Sequence, residues 1–154
     1  MLTDEEVILH NVPALADIAT FEELLRYLGV GYAYDSTTHT LKIHAKEIKT
    51  SKAPYEIVKK MRASIYVLSP ILARKNEAIV SLPGGCTIGS RPVDRYIDAW
   101  KKMGANIEIK NGYIETFAPQ GLKGCKIDCV KKSHGATATT IMSAVLAKGQ
   151  TIIE

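Results

Sequence analysis

The sequence lacks the features that mark secreted and membrane proteins. It contains three cysteines in 154 residues, and an odd number at uneven spacing does not form a disulfide framework. No apolar stretch approaches the roughly 18 residues that a membrane-spanning helix requires. Residues 1–6 are acidic and have neither the basic nor the apolar part of a signal peptide. These absences argue against a secreted scaffold and predict a cytoplasmic protein without membrane contact.

Charge of one sign is not concentrated in any part of the chain. Lys and Arg number 20 and Asp and Glu number 16, which gives a formal net charge of +4. Because the basic residues are scattered and do not form one patch, the pattern does not favour a nucleic-acid partner. The modest positive balance is compatible with an anionic small molecule.

Motifs for phosphate loops, dinucleotides and metals are also absent. No Gly-x-x-x-x-Gly-Lys-Ser/Thr pattern occurs, and Gly84, Gly85 and Gly89 do not supply the dinucleotide-binding fingerprint. Cys125 and Cys129 lie four residues apart on a predicted strand, with no further ligand to complete a zinc set. We therefore expect no metal and no cofactor.

Turn signals separate short segments of strand and helix periodicity, as in a globular α/β (α+β) protein. The composition, 46% hydrophobic and 23% charged, is that of a globular chain of one domain. The predicted elements of the first half are strands at residues 7–9, 32–34, 41–44 and 78–82, and a helix at residues 17–28 that ends at Gly29.

One longer helix is predicted after Pro54. Its apolar stripe consists of Ile57, Met61, Ile65, Leu68 and Leu72. Pro70 lies inside this stripe and should kink the helix or end it early. In the second half, the predicted strand that carries Cys125 covers residues 124–130, and we expect Trp100 to pack in the core or an interface.

The order of elements repeats after about 74 residues. Residues 17–29 align with residues 92–104, and residues 69–74 align with residues 143–148. We predict a single domain, residues 1–154, with one repeat at about 5–77, a second at about 78–150 and the start of a third at 151–154.

A unit with one apolar face per helix needs neighbours to cover that face. If the architecture closes with three units, two units leave apolar surface exposed, and residues 151–154 could pair with another copy of the chain. The alternative is that two units pack adequately as a two-layer α/β domain.

Residues 82–94 carry the most specific chemistry. Pro83, Gly84 and Gly85 follow a strand and break regular structure, so Cys86 is expected on a mobile loop. Arg91 and the helix that opens nearby would favour the thiolate form of this cysteine. The same groups suit a phosphate or carboxylate ligand. A reactive thiol beside an anion site is one interpretation, and a loop cysteine without a function is the other.

Residues 80–94 resemble the catalytic loop of the bacterial UDP-N-acetylglucosamine 1-carboxyvinyltransferases, a family of enolpyruvyl transferases. The resemblance runs nearly end to end, through Leu-His-Asn-Val-Pro at 9–13, Met-Arg-Ala-Ser at 61–64 and Gly-Ala-Thr at 135–137. It implies an inside-out α/β barrel of repeated βαβαββ units with the helices inside. Members of this family have two similar domains and are more than twice as long, so the chain would be part of the first domain.

The resemblance also implies an activity and its residues. Members transfer the enolpyruvyl group from phosphoenolpyruvate to the 3′-hydroxyl of UDP-N-acetylglucosamine, the first committed step of peptidoglycan and cell-wall synthesis. Cys86 matches the catalytic cysteine, which acts as a general acid and is the target of fosfomycin. Arg91 matches an arginine that contacts phosphoenolpyruvate, and Arg62 resembles another substrate-binding arginine. The remaining implied substrate contacts are Tyr66, Pro92, Val93, Asp94, Arg95, Lys131, Ser133, His134 and Gly135.

The sequence departs from the family pattern in several places. Tyr66 stands where an aromatic residue, often tryptophan, is usual, and Arg95 and His134 replace residues that are usually apolar. The Lys-Asn pair that the family carries ahead of the segment matching Leu9, and the aspartate that serves as its general base, have no match in these 154 residues, so the isolated chain is expected to be inactive. The alternatives are a non-catalytic UDP-sugar-binding fragment, a truncated paralogue or half of a split enzyme. The enolpyruvyl transferase of shikimate metabolism ranks lower, because it lacks the cysteine loop.

Overall fold

The computed structural model describes residues 1–82, 93–128 and 133–154. The protein is a mixed α/β structure, as the sequence predicts. Its described elements are, in chain order, β1 (Glu6–Leu9), α1 (Ala16–Tyr27), β2 (Gly31–Asp35), β3 (Thr40–His44), β4 (Lys52–Ala53), α2 (Tyr55–Val58), a 3₁₀ helix (Arg62–Val67), α3 (Leu68–Lys75), β5 (Glu77–Ser81), α4 (Asp94–Lys102), β6 (Asn106–Lys110), β7 (Tyr113–Phe117), β8 (Lys126–Ile127), α5 (His134–Ala144) and β9 (Ile152–Ile153).

The described strands form three sheets that follow one pattern. Their orders are β1-β3-β2, β4-β5-β7-β6 and β8-β9. β1 pairs antiparallel with β3 as β5 does with β7, whereas β4 pairs in parallel with β5 as β8 does with β9. The elements from β4 to β7 read βαβαββ and complete one four-stranded sheet. The predicted fold class of repeated βαβαββ units is confirmed.

Glycine ends the first helix of each unit. Gly29 follows α1 with φ +86° and Gly104 follows α4 with φ +91°, conformations that other residues adopt only with strain. At Gly29 the side chain of Lys49 also fills the space that a Cβ would need, with Cβ of Lys49 2.8 Å away. The chain therefore turns from helix to hairpin at the same place in both units.

The turn between β2 and β3 is held by Asp35. One carboxylate oxygen accepts hydrogen bonds from the backbone N–H groups of Thr37 (2.8 Å) and Thr38 (3.3 Å), and the other accepts from the Thr38 hydroxyl at 2.8 Å. Chiefly the Thr38 hydroxyl, with the two N–H groups, holds the pKa of Asp35 below its ordinary value. The turn is thus stabilised by the ionised form of its first residue.

Trp100 is the centre of the helical core and is fully buried. Its indole N–H lies 3.0 Å from the Ser143 hydroxyl and 3.3 Å from the Ser69 hydroxyl. Both serines donate onward to the carbonyl oxygen of Thr139, at 2.9 and 3.0 Å. The tryptophan of α4 therefore joins α3 to α5 through satisfied polar contacts, and its predicted place in the core is confirmed.

The single helix predicted after Pro54 is wrong. The segment consists of α2, the 3₁₀ helix and α3, and Met61 interrupts it with extended backbone at φ −146° and ψ 123°. Pro70 is the third residue of α3, where its missing N–H removes little helical hydrogen bonding. The five residues of the apolar stripe are nevertheless all buried, so the stripe identified the inner face but not the break.

No helix in the described part of the chain is long and apolar enough to cross a membrane.

The strand predicted at residues 124–130 is shorter than expected. β8 covers only Lys126 and Ile127, and residues 129–132 lie outside the described residues. β8 has β9 as its parallel partner, and at the approach to it a Cβ at Gly124 would lie 2.8 Å from the backbone nitrogen of Gln150. The short pairing is what brings the end of the chain against the second unit.

Candidate functional site

The predicted site residues lie on three elements. Arg62 and Tyr66 belong to the 3₁₀ helix, and Ala63 completes its partly exposed face. Val93, Asp94 and Arg95 form the start of α4, whereas Ser133, His134 and Gly135 form the start of α5. Four predicted residues lie outside the described residues: Cys86, Arg91, Pro92 and Lys131.

The first turn of α5 is built to present its amino end. Ser133 has extended backbone at φ −150° and ψ 106°, and its hydroxyl accepts a hydrogen bond from the N–H of Ala136 at 3.4 Å. The hydroxyl of Thr137 donates back to the Ser133 carbonyl at 3.0 Å. This is the arrangement of an N-cap serine. The partial positive charge of a helix amino end suits a phosphate or carboxylate.

The start of α5 borders a cavity of about 490 Å³. That volume is in the range of small-molecule sites. Asp94, Arg95 and Ser133 line the cavity, so two of the three predicted groups meet there, together with Ile127 of β8. Arg62, Tyr66, His134 and Gly135 do not belong to its lining.

Four charged residues that line the cavity were not predicted as site residues from the sequence. Asp98, Lys101, Lys102 and Asp128 join Asp94 and Arg95, so the described lining holds three acidic and three basic residues. This balance gives the described lining no excess of positive charge. An anionic ligand would therefore depend on the amino end of α5 and on the individual placement of the basic groups.

Tyr66, Tyr96 and Gly135 meet where the three elements converge. A Cβ at Gly135 would collide with the hydroxyl of Tyr96, and it would lie 2.9 Å from Cζ of Tyr96 and 3.2 Å from the hydroxyl of Tyr66. Only the absence of a side chain at residue 135 lets both phenols approach α5. Tyr96 was not singled out by the sequence, because its position in the helical pattern gives no sign of a contact with Gly135.

The described residues do not form a cluster of possible metal ligands. Within residues 1–82, 93–128 and 133–154, no group of three or more His, Cys, Asp or Glu side chains could hold a metal ion. The functional groups that the described site offers are hydroxyls, helix N–H groups and side-chain charges.

Comparison with known proteins identifies related chains. The UDP-N-acetylglucosamine 1-carboxyvinyltransferase of Bartonella tribocorum is 46% identical over 162 residues, which cover 100% of this chain and 38% of that protein. The protein of the same name from Xanthobacter autotrophicus is 49% identical, with the same coverage. The one from Gluconobacter oxydans is 52% identical over 99% of this chain and 36% of its own length. The chain thus spans well under half the length of these relatives.

Solved structures share the fold at low sequence identity. The enolpyruvyl transferase NikO from Streptomyces tendae superposes with a TM-score of 0.86 at 21% identity, over 99% of this chain and 36% of that one. EPSP synthase from Acinetobacter baumannii gives a TM-score of 0.71 at 18% identity, over 98% of this chain and 35% of that one. The fold is that of the enolpyruvyl transferases, and the chain accounts for part of it.

The family model described as EPSP synthase (3-phosphoshikimate 1-carboxyvinyltransferase) matches residues 1–154. This match covers the whole chain, and it agrees with the fold and with the relatives at 46% to 52% identity. The chain therefore belongs to the EPSP synthase (3-phosphoshikimate 1-carboxyvinyltransferase) family.

Proposed function

We propose that the chain is part of the first domain of an enzyme that transfers the enolpyruvyl group from phosphoenolpyruvate to the 3′-hydroxyl of UDP-N-acetylglucosamine. One observation carries this proposal. Relatives named for that sugar nucleotide are 46% to 52% identical across essentially the whole chain. The structural neighbours at 18% and 21% identity support the fold alone.

The proposed reaction needs an acid, a base and groups that hold two anions. The 3′-hydroxyl gives its proton to the base and attacks C2 of phosphoenolpyruvate while the acid gives a proton to C3. A proton then leaves C3 and phosphate leaves C2, which forms the double bond of the enol ether. We assign the proton donor to Cys86, and contacts with phosphoenolpyruvate to Arg91. Arg62 is a further substrate contact. A positioned acid contributes about 10²- to 10⁴-fold to such a proton transfer.

The UDP-sugar is assigned to the starts of α4 and α5. The cavity beside Asp94, Arg95 and Ser133 has room for a small ligand. The N-cap geometry of Ser133 leaves the amino end of α5 suited to a diphosphate. The assigned contacts are Arg62, Tyr66, Arg91, Pro92, Val93, Asp94, Arg95, Lys131, Ser133, His134 and Gly135.

The chain alone should bind the sugar nucleotide without turning it over. The general base is assigned to a second domain, beyond residues 1–154, which this proposal also makes the partner of the chain. The setting would be peptidoglycan synthesis in the cytoplasm, with fosfomycin as an inhibitor that reacts with Cys86. In this proposal, residues 1–154 all belong to one domain, the first domain of the enzyme.

Isothermal titration calorimetry with UDP-N-acetylglucosamine tests the binding part of the proposal. The wild-type chain should bind, and Arg95→Ala should bind several-fold more weakly because a cationic group at the cavity is lost. Lys110→Ala, on the exposed end of β6, is the matched control and should bind like the wild type. Absence of saturable binding by a folded wild-type chain would refute the proposal.

Phosphate release from phosphoenolpyruvate tests the assignment of the chemistry. With UDP-N-acetylglucosamine present, the isolated chain should release no phosphate above background. If the chain does release phosphate, and Cys86→Ser abolishes that release, the assigned place of the base in a second domain is wrong. In that case the acid is correctly assigned but the base lies within these 154 residues.

A further inference from the structure

Tyr96 is not among the assigned substrate contacts, but it meets two of them, Tyr66 and Gly135. Its hydroxyl and that of Tyr66 occupy the space beside Gly135, where a Cβ would lie 3.2 Å from the Tyr66 hydroxyl and would collide with Tyr96. Gly135 is not among the glycines with positive φ. Glycine is thus needed at residue 135 for space and not for backbone conformation.

The position of Tyr96 is fixed by the core beneath it. Its ring lies against that of Trp100, with centroids 6.2 Å apart and planes inclined at 45°. Trp100 is fully buried and is held by the hydroxyls of Ser69 and Ser143. A continuous set of packed contacts therefore runs from the serines of α3 and α5, through two aromatic rings of α4, to the first turn of α5.

The contact of Tyr96 with Gly135 lies beside the cavity. Arg95 precedes Tyr96 along α4, and Ser133 and Ala136 flank Gly135 along α5, and all three line the cavity. Tyr96 and Gly135 therefore meet within the two helix starts that border the cavity. On its other side the junction meets the 3₁₀ helix, which carries Arg62 and Tyr66.

We propose that Tyr96 is a positioning residue for the UDP-sugar site. Its hydroxyl, packed beside that of Tyr66 against Gly135, holds the start of α5 at the distance from α4 that a sugar nucleotide requires. This inference rests on the proposed function. It assigns Tyr96 no contact with the ligand. Tyr96 acts through Gly135 and the N-cap of α5. A shift of about 1 Å in groups that position a substrate can lower an enzyme's rate by up to 10²-fold.

Tyr96→Phe tests the proposal, because it keeps the ring beside Trp100 and removes only the hydroxyl. We expect roughly tenfold weaker binding of UDP-N-acetylglucosamine by the full 154-residue chain, with an unchanged melting temperature. Tyr27→Phe, on the 48% exposed tyrosine at the end of α1, is the matched control and should leave both quantities unchanged.

Hydrogen exchange supplies a readout that a general loss of stability would not reproduce. In Tyr96→Phe, amides at the start of α5 should exchange faster, while those of β2 and β3 in the first unit should not change. Gly135→Ala should also speed exchange at the start of α5, because the new Cβ would collide with the hydroxyl of Tyr96.

The outcomes separate the two proposals. If the wild type binds the sugar nucleotide and Tyr96→Phe binds equally well, the positioning role is wrong and the proposed function stands. If affinity and melting temperature fall together, Tyr96 is a core residue only and the inference is also wrong. If the wild type does not bind, the proposed function fails and the inference fails with it. Loss of affinity at constant melting temperature, with local exchange at α5, supports the inference.

Discussion

At the scale of single residues, Trp100 decides how the helices of the two units meet. Ser69 and Ser143 correspond to each other in the sequence repeat, and both hydroxyls lie beside the indole N–H. The indole N–H of one side chain in α4 thus donates to the equivalent serines of both units. A buried indole N–H left without an acceptor would carry a desolvation cost of about 1–3 kcal/mol, so the tryptophan depends on the two serines, whose hydroxyls also donate to the Thr139 carbonyl.

Trp100→Phe should lower the free energy of unfolding by about 2 kcal/mol. The loss combines an unfilled volume in a fully buried site with the missing indole N–H. Because Trp100 is the only tryptophan, urea unfolding is followed by circular dichroism, with Tyr27→Phe as the exposed control. A change below about 0.5 kcal/mol, the range of ordinary surface substitutions, would show that the indole is not central to the core.

The burial of Trp100 could be predicted from the sequence, whereas the contact of Tyr96 with Gly135 could not. The burial of Trp100 follows from its place in an apolar helical pattern, and a burial pattern is local information. The contact of Tyr96 with Gly135 joins residues 39 positions apart on α4 and α5, so no local pattern could reveal it. The family resemblance implies that Gly135 is a substrate contact. The structure adds a packing reason for glycine there, because a side chain would collide with Tyr96.

At the scale of elements, helix ends were easier to predict than helix breaks. The ends at Gly29 and Gly104 could be predicted because glycine alone tolerates their positive φ without strain. The break at Met61 carries no comparable signal. Methionine is a good helix former, and its extended backbone is imposed by the way α2 and the 3₁₀ helix pack with α1 and β5. Tertiary contacts, not propensity, set that boundary.

The N-cap of α5 gives a prediction at this scale. Ser133→Ala should destabilise the chain by about 0.5–1 kcal/mol, because the N–H of Ala136 loses its acceptor, whereas Ser133→Gly should cost only a few tenths. The 3.4 Å separation places the expected loss at the lower end of the range for serine caps. Thermal unfolding of the two variants beside the wild type measures the difference.

Equal losses for alanine and glycine at residue 133 would contradict this cap. The pair also separates capping from ligand contact. Ser133→Gly keeps most of the stability of α5 and still lacks the hydroxyl, so any loss of UDP-N-acetylglucosamine affinity in that variant would reflect the hydroxyl itself.

At the scale of the whole molecule, equivalent strands have unequal surroundings. β5 lies between β4 and β7, and four of its five residues are buried or half-buried. β1 occupies the same place in the first unit, but among the described strands it pairs with β3 alone, and all four of its residues are exposed. The sequence repeat predicted such an unfilled position, because a unit of this kind relies on its neighbour to cover it.

Apolar side chains are exposed at both ends of the repeat. Val7, Ile8 and Leu9 of β1 are 37% to 46% exposed. Near the other end, Ile152 of β9 is 46% exposed, and Ile141 and Val145 of the α5 segment are 51% and 59% exposed. Unpaired strand edges and apolar patches are the surfaces through which chains associate. We therefore propose that the isolated chain self-associates, with the β1 edge and the segment around β9 as the contact surfaces.

Sedimentation velocity over a range of concentrations measures this association. The wild-type chain should shift toward dimers or larger species as its concentration rises. Ile8→Lys should reduce the shift, because a lysine on an edge strand opposes pairing with another strand. Leu15→Lys, at a site 57% exposed between β1 and α1, adds the same charge away from the edge and should associate like the wild type. A wild-type chain that stays monomeric at high concentration would mean that two units suffice to cover the core, as in the two-layer alternative.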